Sequence, residues 1–273
     1  MTPFKSLRAV MLDWAGTTVD HGSNAPVLAL KTLFSKHAID LAGSDARRDM
    51  GLLKRDHIRA ILNLPNISQE WKLLKGHAPD ETDVLSLFEE FGPLQMQIIA
   101  EHSQLIEGVI DVIAGWQRAG LKIGSTTGYT RAMLTPVMEQ AAKGGYHPDA
   151  SVCPDEVEAG RPAPWMLARN AQLLNVYPPS ACVKIGDTIS DIEEGRNAGM
   201  WTIGLTRTGN LVGLDHSDWQ QLPEEEKQNI LAQAGKTMQS AGADFIAESL
   251  VECEPILRAI DDRVTAGNKS SVS

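Results

Sequence analysis

The sequence predicts an α/β fold: a doubly wound parallel sheet interrupted by an inserted helical domain. Three observations predict it. Short apolar runs alternate with helix-patterned segments, the rhythm of a parallel sheet covered on both faces. Several of those runs end on a carboxylate or hydroxyl residue, at the strand ends where open α/β sheets bind ligands. One long stretch near the N-terminus breaks the rhythm and is helix-patterned throughout.

The strand-like runs are "LRAVMLD" (7–13), "LKIGSTT" (121–127), "SACVKIGD" (180–187), "WTIGLT" (201–206) and "ADFIAE" (243–248). Helical patterns fall at about 108–119, 130–142, 165–175, 188–198, 223–239 and 247–262. The exception is residues 23–103, whose segments "APVLALKTLFSKHAI", "ARRDMGLLKRDHIRAILN", "ISQEWKLLKG" and "DETDVLSLFEEFGPLQMQIIAEHSQL" have helical spacing. Residues 1–22 and 104–273 then make the sheet-bearing core, with hinges expected at Gly22-Ser23 and near Ser103–Gly108. The tail "AGNKSSVS" is polar and expected to fray.

Composition narrows the function. The 273 residues suffice for a core domain plus a smaller insert. Acidic residues outnumber basic ones, 35 to 25, for a net charge of −10, which argues against nucleic acid as the main partner. A small anionic substrate stays compatible, because a local cluster of donors can bind it inside an acidic protein. No apolar run approaches the roughly 20 residues that span a bilayer. The N-terminus has no signal-peptide pattern, and three widely spaced cysteines make neither a disulfide framework nor a zinc site. A cytoplasmic protein with no membrane partner is expected.

The strand ends carry the candidate chemistry. Asp13 closes the first run and either caps a turn or faces a ligand. Asp187 closes "VKIGD" where a Mg²⁺ ligand could stand, since that ion takes oxygen donors and often only one or two carboxylates. Asp191, four residues on, either caps the following helix or supports the same site. Ser125, Thr126, Thr127 and Gly128 end a third strand just before a helix, a pattern that serves equally as an N-cap or an anion site. Arg161, in the proline-rich "EAGRPAPW", is a surface residue or a partner for phosphoryl oxygens. Within the insert, Met50, Lys54, His57 and Ile61 follow a spacing of four, three and four, which places them on one face of a helix. Lys54 there either snorkels to solvent or is desolvated into a nucleophilic amine.

Taken in order, "DWAGTT", "GSTTG", Arg161 and "GDTISD" resemble the haloacid dehalogenase superfamily over most of the chain. The resemblance implies a core of that type, an aspartyl-phosphate formed on Asp13, a Mg²⁺ ion, and the insert acting as a mobile cap. One position departs from the superfamily's phosphatases. An aspartate commonly stands two residues after the nucleophile, where it protonates a leaving oxygen, and here Ala15 stands there. The runs "MGLLKRDH", "GSTTGYTR", "GRPAPWM" and "GDTISDIEEGRNAGMWT" further resemble the phosphonatase branch, which cleaves a carbon–phosphorus bond. That likeness implies phosphonoacetaldehyde as substrate, a Schiff base on Lys54, and Mg²⁺ held by Asp13, the Ala15 carbonyl and Asp187. It makes Thr127, Gly128 and Arg161 phosphate-binding residues and implies a homodimer. His57 becomes a candidate proton shuttle, Met50 and Tyr129 candidate pocket walls, and Thr126 and Asp191 candidate supports. The alternatives are a phosphomonoester phosphatase or phosphomutase of the same superfamily, and a phosphate-sensing protein without catalysis.

Overall fold

A computed structural model describes residues 2–267. The polar tail beyond Gly267 lies outside the described residues. Six parallel strands form one sheet: β1 (Ala9–Leu12), β2 (Lys122–Thr126), β3 (Ala150–Val152), β4 (Cys182–Gly186), β5 (Trp201–Leu205) and β6 (Phe245–Ala247). Their spatial order is β3-β2-β1-β4-β5-β6, so β1 is central and the chain reverses direction across the sheet between β3 and β4. That reversal opens a crevice at the C-terminal ends of β1, β2 and β4. Alternation along β1 explains why the sheet is covered twice. Val10 and Leu12 join the large core with Ile123, Ile185 and Ile203, whereas Ala9 and Met11 pack with Leu167, Cys182 and Met200 on the other face.

Between β1 and β2 lie α1 (Asn24–Lys36), α2 (Gly43–Arg47), α3 (Lys54–Leu62), α4 (Pro65–Lys75), α5 (Glu81–His102) and α6 (Val109–Arg118). Helices α1 and α3 both pack on α5, burying Leu30, Leu33, Phe34, Ile58, Ile61, Leu87 and Phe91. The two segments that lead into and out of this helical group run side by side. Asp20 N–H donates to Gln104 O at 3.0 Å, Ile106 N–H donates to Thr18 O at 3.0 Å, and Val19 bridges Leu105. The remaining helices are α7 (Arg131–Lys143), α8 (Trp165–Leu174), α9 (Ile189–Asn197), α10 (His216–Gln221), α11 (Glu224–Ser240) and α12 (Cys253–Thr265). Among the described residues, no helix is long and apolar enough to cross a membrane.

The five expected strands are present, and three expectations need correction. Strand β3 has no counterpart among the predicted strands, because three edge residues, two half-buried and one buried, give too short a pattern. The last helix begins at Cys253, not 247, because Phe245–Ala247 is strand and Leu250–Glu252 is a 3₁₀ turn. Met50 is not on a helix with Lys54. The chain leaves α2 after Arg47, turns at Gly51 with φ +93°, and only then starts α3 at Lys54.

Candidate active site

The site assembles at the crevice. Leu12 pairs in register with Ser125 of β2 and Ile185 of β4, so Asp13 emerges level with Thr126 and Gly186, and Asp187 follows one residue on. Asp13 N–H donates to Ile185 O at 3.1 Å, which holds it in this register. Arg161 arrives from the loop before α8 and is 4 % exposed. Its Nη2 donates to Asp13 Oδ1 at 2.7 Å and to Thr126 Oγ1 at 2.7 Å. Its Nη1 lies 2.9 Å from Asp191 Oδ1, and its Nε donates to Glu194 Oε2 at 3.0 Å. The guanidinium thus spans three carboxylates, the geometry its planar fork suits.

Two members of this network, Lys184 and Glu194, are not among the residues that the sequence predicts for the site. Lys184, wholly buried in β4, reaches Asp191 Oδ1 at 2.8 Å, Glu194 Oε2 at 3.4 Å and Thr126 Oγ1 at 2.8 Å. Glu194 on α9 also accepts from Thr126 Oγ1 at 2.9 Å. The available signal was a lone lysine inside the apolar run "ACVKIG", since an unpaired buried charge is too costly to tolerate. Asp191 is not itself the N-cap of α9 but its partner in the cap. Thr188 is the N-cap of α9 and forms a capping box with Asp191, while the same carboxylate pairs with Arg161 and Lys184. Those cations hold the Asp191 carboxyl below its ordinary pKa against the opposing effect of burial.

Asp13, Asp187 and Asp191 place carboxylate oxygens within 4.8 Å of one another, a spacing that could hold a cation. Asp191 is engaged by both Arg161 and Lys184 and Asp13 by Arg161 through Oδ1, so Asp187 and the second oxygen of Asp13 are the better placed to bind one. Asp187 accepts from Asn210 N–H at 2.7 Å and from Thr17 Oγ1 at 3.3 Å. Burial first, then the Asp13 and Asp191 charges, push its pKa well above the carboxylate range. An all-oxygen donor set whose negative charge Arg161 offsets only in part fits a hard divalent ion such as Mg²⁺.

Lys54 comes from the opposite side, at the first turn of α3, and is 1 % exposed. Its Nζ contacts Met50 Sδ at 3.4 Å and lies 5.8 Å from the centre of the Tyr129 ring. Burial lowers its pKa to about 8, partly opposed by the Asp13 charge. Met50 therefore meets Lys54 as expected, though from a turn and not from a shared helix face. His57, one turn along α3, is wholly buried, and burial followed by the Lys54 charge keeps its ring neutral. The loop before α3 lies directly on the β2–α7 turn. A Cβ at Gly128 would come within 2.6 Å of Leu52 O and 2.9 Å of Gly51 O, so only glycine permits this approach.

Asp13, Ala15, Met50, Lys54, Thr127, Gly128, Tyr129 and Arg161 line one cavity of about 20 Å³, room for little more than a water molecule. The predicted residues His57, Thr126, Asp187 and Asp191 are buried around it without lining it. Thr127 Oγ1 accepts from Tyr129 N–H at 3.1 Å, which fixes the turn that presents both side chains. A roomier cleft of about 390 Å³, bordered by Asp20, His102, Glu107 and His216, contains none of the predicted site residues.

A family model described as haloacid dehalogenase-like hydrolase matches residues 7–199. A relative from Syntrophobacter fumaroxidans, named phosphonoacetaldehyde hydrolase, is 43% identical over 261 residues, covering 96% of this chain and 94% of its own. A protein of the same name from Bacillus cereus (strain G9842) is 43% identical over 255 residues, covering 93% and 97%. A crystal structure described as a phosphonoacetaldehyde hydrolase-like protein from Oleispira antarctica matches with a TM-score of 0.96 at 38% identity over 98% of each chain. A β-phosphoglucomutase from Clostridium difficile matches at 20% identity and a TM-score of 0.60, a likeness of fold alone.

Proposed function

The chain belongs to the haloacid dehalogenase-like hydrolases, and from that footing we propose that it cleaves the carbon–phosphorus bond of phosphonoacetaldehyde, giving acetaldehyde and phosphate. One observation carries the reading beyond the names of relatives. A buried lysine amine with a lowered pKa lines the same small cavity as the strand-end aspartate and its arginine. A phosphomonoesterase has no use for that amine; an aldehyde substrate does.

The chemistry follows from the groups present. Lys54 Nζ, as free amine, adds to the aldehyde carbon, and loss of water leaves an iminium. Asp13 attacks phosphorus, and the electrons of the carbon–phosphorus bond move into the iminium to give an enamine. A directly expelled carbanion is thereby avoided. Protonation of the enamine at carbon and hydrolysis of the imine release acetaldehyde and regenerate Lys54. Water cleaves the aspartyl-phosphate, returning Asp13 and releasing phosphate. Arg161 and Thr127 supply donors to the phosphoryl oxygens. A Mg²⁺ ion held by Asp13, the Ala15 carbonyl and Asp187 would offset phosphoryl charge. Neutral His57 is suited to accept the proton that Lys54 loses. The leaving atom is carbon and its electrons have a sink, so no acid aimed at a leaving oxygen is needed, and alanine at position 15 is consistent.

A cavity of about 20 Å³ is too small for this substrate, which supports reading residues 23–103 as a cap that opens between turnovers. The likeness to the phosphonatases also carries a homodimer, which sizing in solution would test. Acetaldehyde release from phosphonoacetaldehyde, set beside phosphate release from a generic ester, tests the activity. Borohydride with acetaldehyde should fix a reduced adduct that peptide mass mapping places on Lys54, and not on the exposed Lys31, Lys36, Lys72 or Lys75. An adduct elsewhere would overturn the Schiff-base reading.

A further inference from the structure

Arg47, the last residue of α2, lines no part of the catalytic cavity, yet its guanidinium makes one of the densest donor sets in the molecule. Nη1 donates to Gly22 O at 2.8 Å, to Ser23 O at 3.3 Å and to Asn210 Oδ1 at 3.3 Å. Nη2 donates to Asn24 Oδ1 at 2.6 Å and to Gly213 O at 3.0 Å. Its own carbonyl accepts from Asn210 Nδ2 at 3.0 Å and from Met50 N–H at 3.2 Å. Two segments distant in sequence, the entry to α1 and the Asn210–Gly213 loop, meet at the Arg47 side chain, and the loop that delivers Met50 and Lys54 starts from its backbone, where Met50 N–H donates to the Arg47 carbonyl. Asn210 is also the residue whose backbone N–H holds Asp187 at 2.7 Å. The same delivering loop is fastened further along, where Ser190 Oγ donates to Met50 O at 3.4 Å.

We propose that Arg47 is a positioning residue for Lys54: it ties the loop before α3 to the core loop that braces Asp187, so that the amine and the phosphoryl site are registered to each other only when these bonds are made. The proposal rests on the Schiff-base reading above. A planar fork with separate donor directions meets five acceptors on two segments at once; a lysine ammonium, a single point of charge, cannot reproduce that pattern. Misplacement of a reacting group by about 1 Å costs on the order of a hundredfold in rate, so a tether remote from the chemistry can govern it.

The experiment is the rate at which borohydride and acetaldehyde fix an adduct on Lys54 in the full chain. Arg47→Ala should lower that rate about tenfold to a hundredfold, with far-UV circular dichroism unchanged. Arg47→Lys should stay low despite its charge, and guanidinium ion added to Arg47→Ala should restore part of the rate. Asn210→Ala removes the side-chain partner while keeping the N–H that holds Asp187, and it should also lower the rate, which decides the matter if Arg47→Ala does not fold. A wild-type rate in Arg47→Ala or Asn210→Ala overturns the proposal alone. Loss of rate without rescue by guanidinium reduces Arg47 to a role in folding and overturns it too. Absence of any Lys54 adduct in the wild type overturns the Schiff-base reading, and the proposal with it.

Discussion

The pH dependence of imine formation is the sharpest test of the site. Burial lowers the pKa of Lys54 from 10.5 to about 8. At pH 7.5 an amine with a pKa of 8 is roughly one quarter free base, against about one part in a thousand for an ordinary lysine, a gain of about two-hundredfold in nucleophile. The sign is fixed by the chemistry: only the free amine adds to a carbonyl, so the rate rises with pH and levels off above 8. The largest influence opposing burial is the negative charge of Asp13, which favours the ammonium. Asp13→Asn removes that charge, so its midpoint should fall below the wild-type value while phosphoryl transfer is lost. The assay is initial-rate trapping of acetaldehyde by cyanoborohydride across pH 6–9.5, in chelator-treated protein so that no bound cation contributes. A wild-type midpoint near 10.5 would show that Lys54 is solvated when it reacts. An upward move in Asp13→Asn would show that the two groups do not sense each other as the geometry requires.

Four further outcomes follow from the same geometry. Chelation should abolish turnover and Mg²⁺ restore it, because Asp13, Asp187 and Asp191 bring carboxylate oxygens within 4.8 Å and Arg161 and Lys184 offset only part of that charge; full activity in metal-free protein would contradict this. Lys54→Arg keeps the charge but cannot form the imine, so kcat should fall by about three orders of magnitude or more, and appreciable cleavage of phosphonoacetaldehyde would reopen the phosphatase reading. Ala15→Asp adds a carboxylate to a cavity already lined by Asp13 and should sharply lower kcat/KM; an unchanged value would make the alanine incidental. Gly128→Ala should push the Gly51–Leu52 backbone away and cut kcat/KM about tenfold or more, with a far smaller effect on unfolding temperature; equal losses in both would mean the contact serves stability alone.

The sheet was legible because its strands obey two simple rules at once: apolar runs, and functional residues where the runs stop. Asp13, Thr127 and Asp187 could be placed at strand ends without knowing which strands were neighbours. Lys54 with His57 and Ile61 was legible from helical spacing, but the continuation back to Met50 failed at Gly51, whose positive φ breaks the periodicity. That Met50 still touches Lys54 depends on the turn, which spacing cannot encode. The buried pairing of Lys184 with Glu194, and of Arg161 with three carboxylates, was not legible either. Lys184 stands out as a charge inside an apolar run, but its partners, and those of Arg161, are unknown until the sheet order brings β4, α9 and the loop before α8 together. Arg47 and Asn210 are 163 residues apart, and nothing local to either one announces the other.

On the proposed Schiff-base reading, the buried charges would let one cavity serve both halves of the reaction. Four carboxylates (Asp13, Asp187, Asp191 and Glu194) share the interior with three cations, Lys54, Arg161 and Lys184. Glu194 and Asp191 grip Arg161 from the side away from Asp13, so the guanidinium is held in place whatever happens at the nucleophile. Removing one partner from such a buried set costs about 3–5 kcal/mol, which is why the arrangement stays rigid. The low-dielectric surroundings that favour the neutral Lys54 amine also penalise the cationic iminium formed from it. Collapse of that iminium to a neutral enamine relieves the penalty at the step in which the carbon–phosphorus bond breaks. On the proposed mechanism, burial of Lys54 would act twice: it would supply free amine near neutral pH, and it would strengthen the electron sink that replaces protonation of a leaving group.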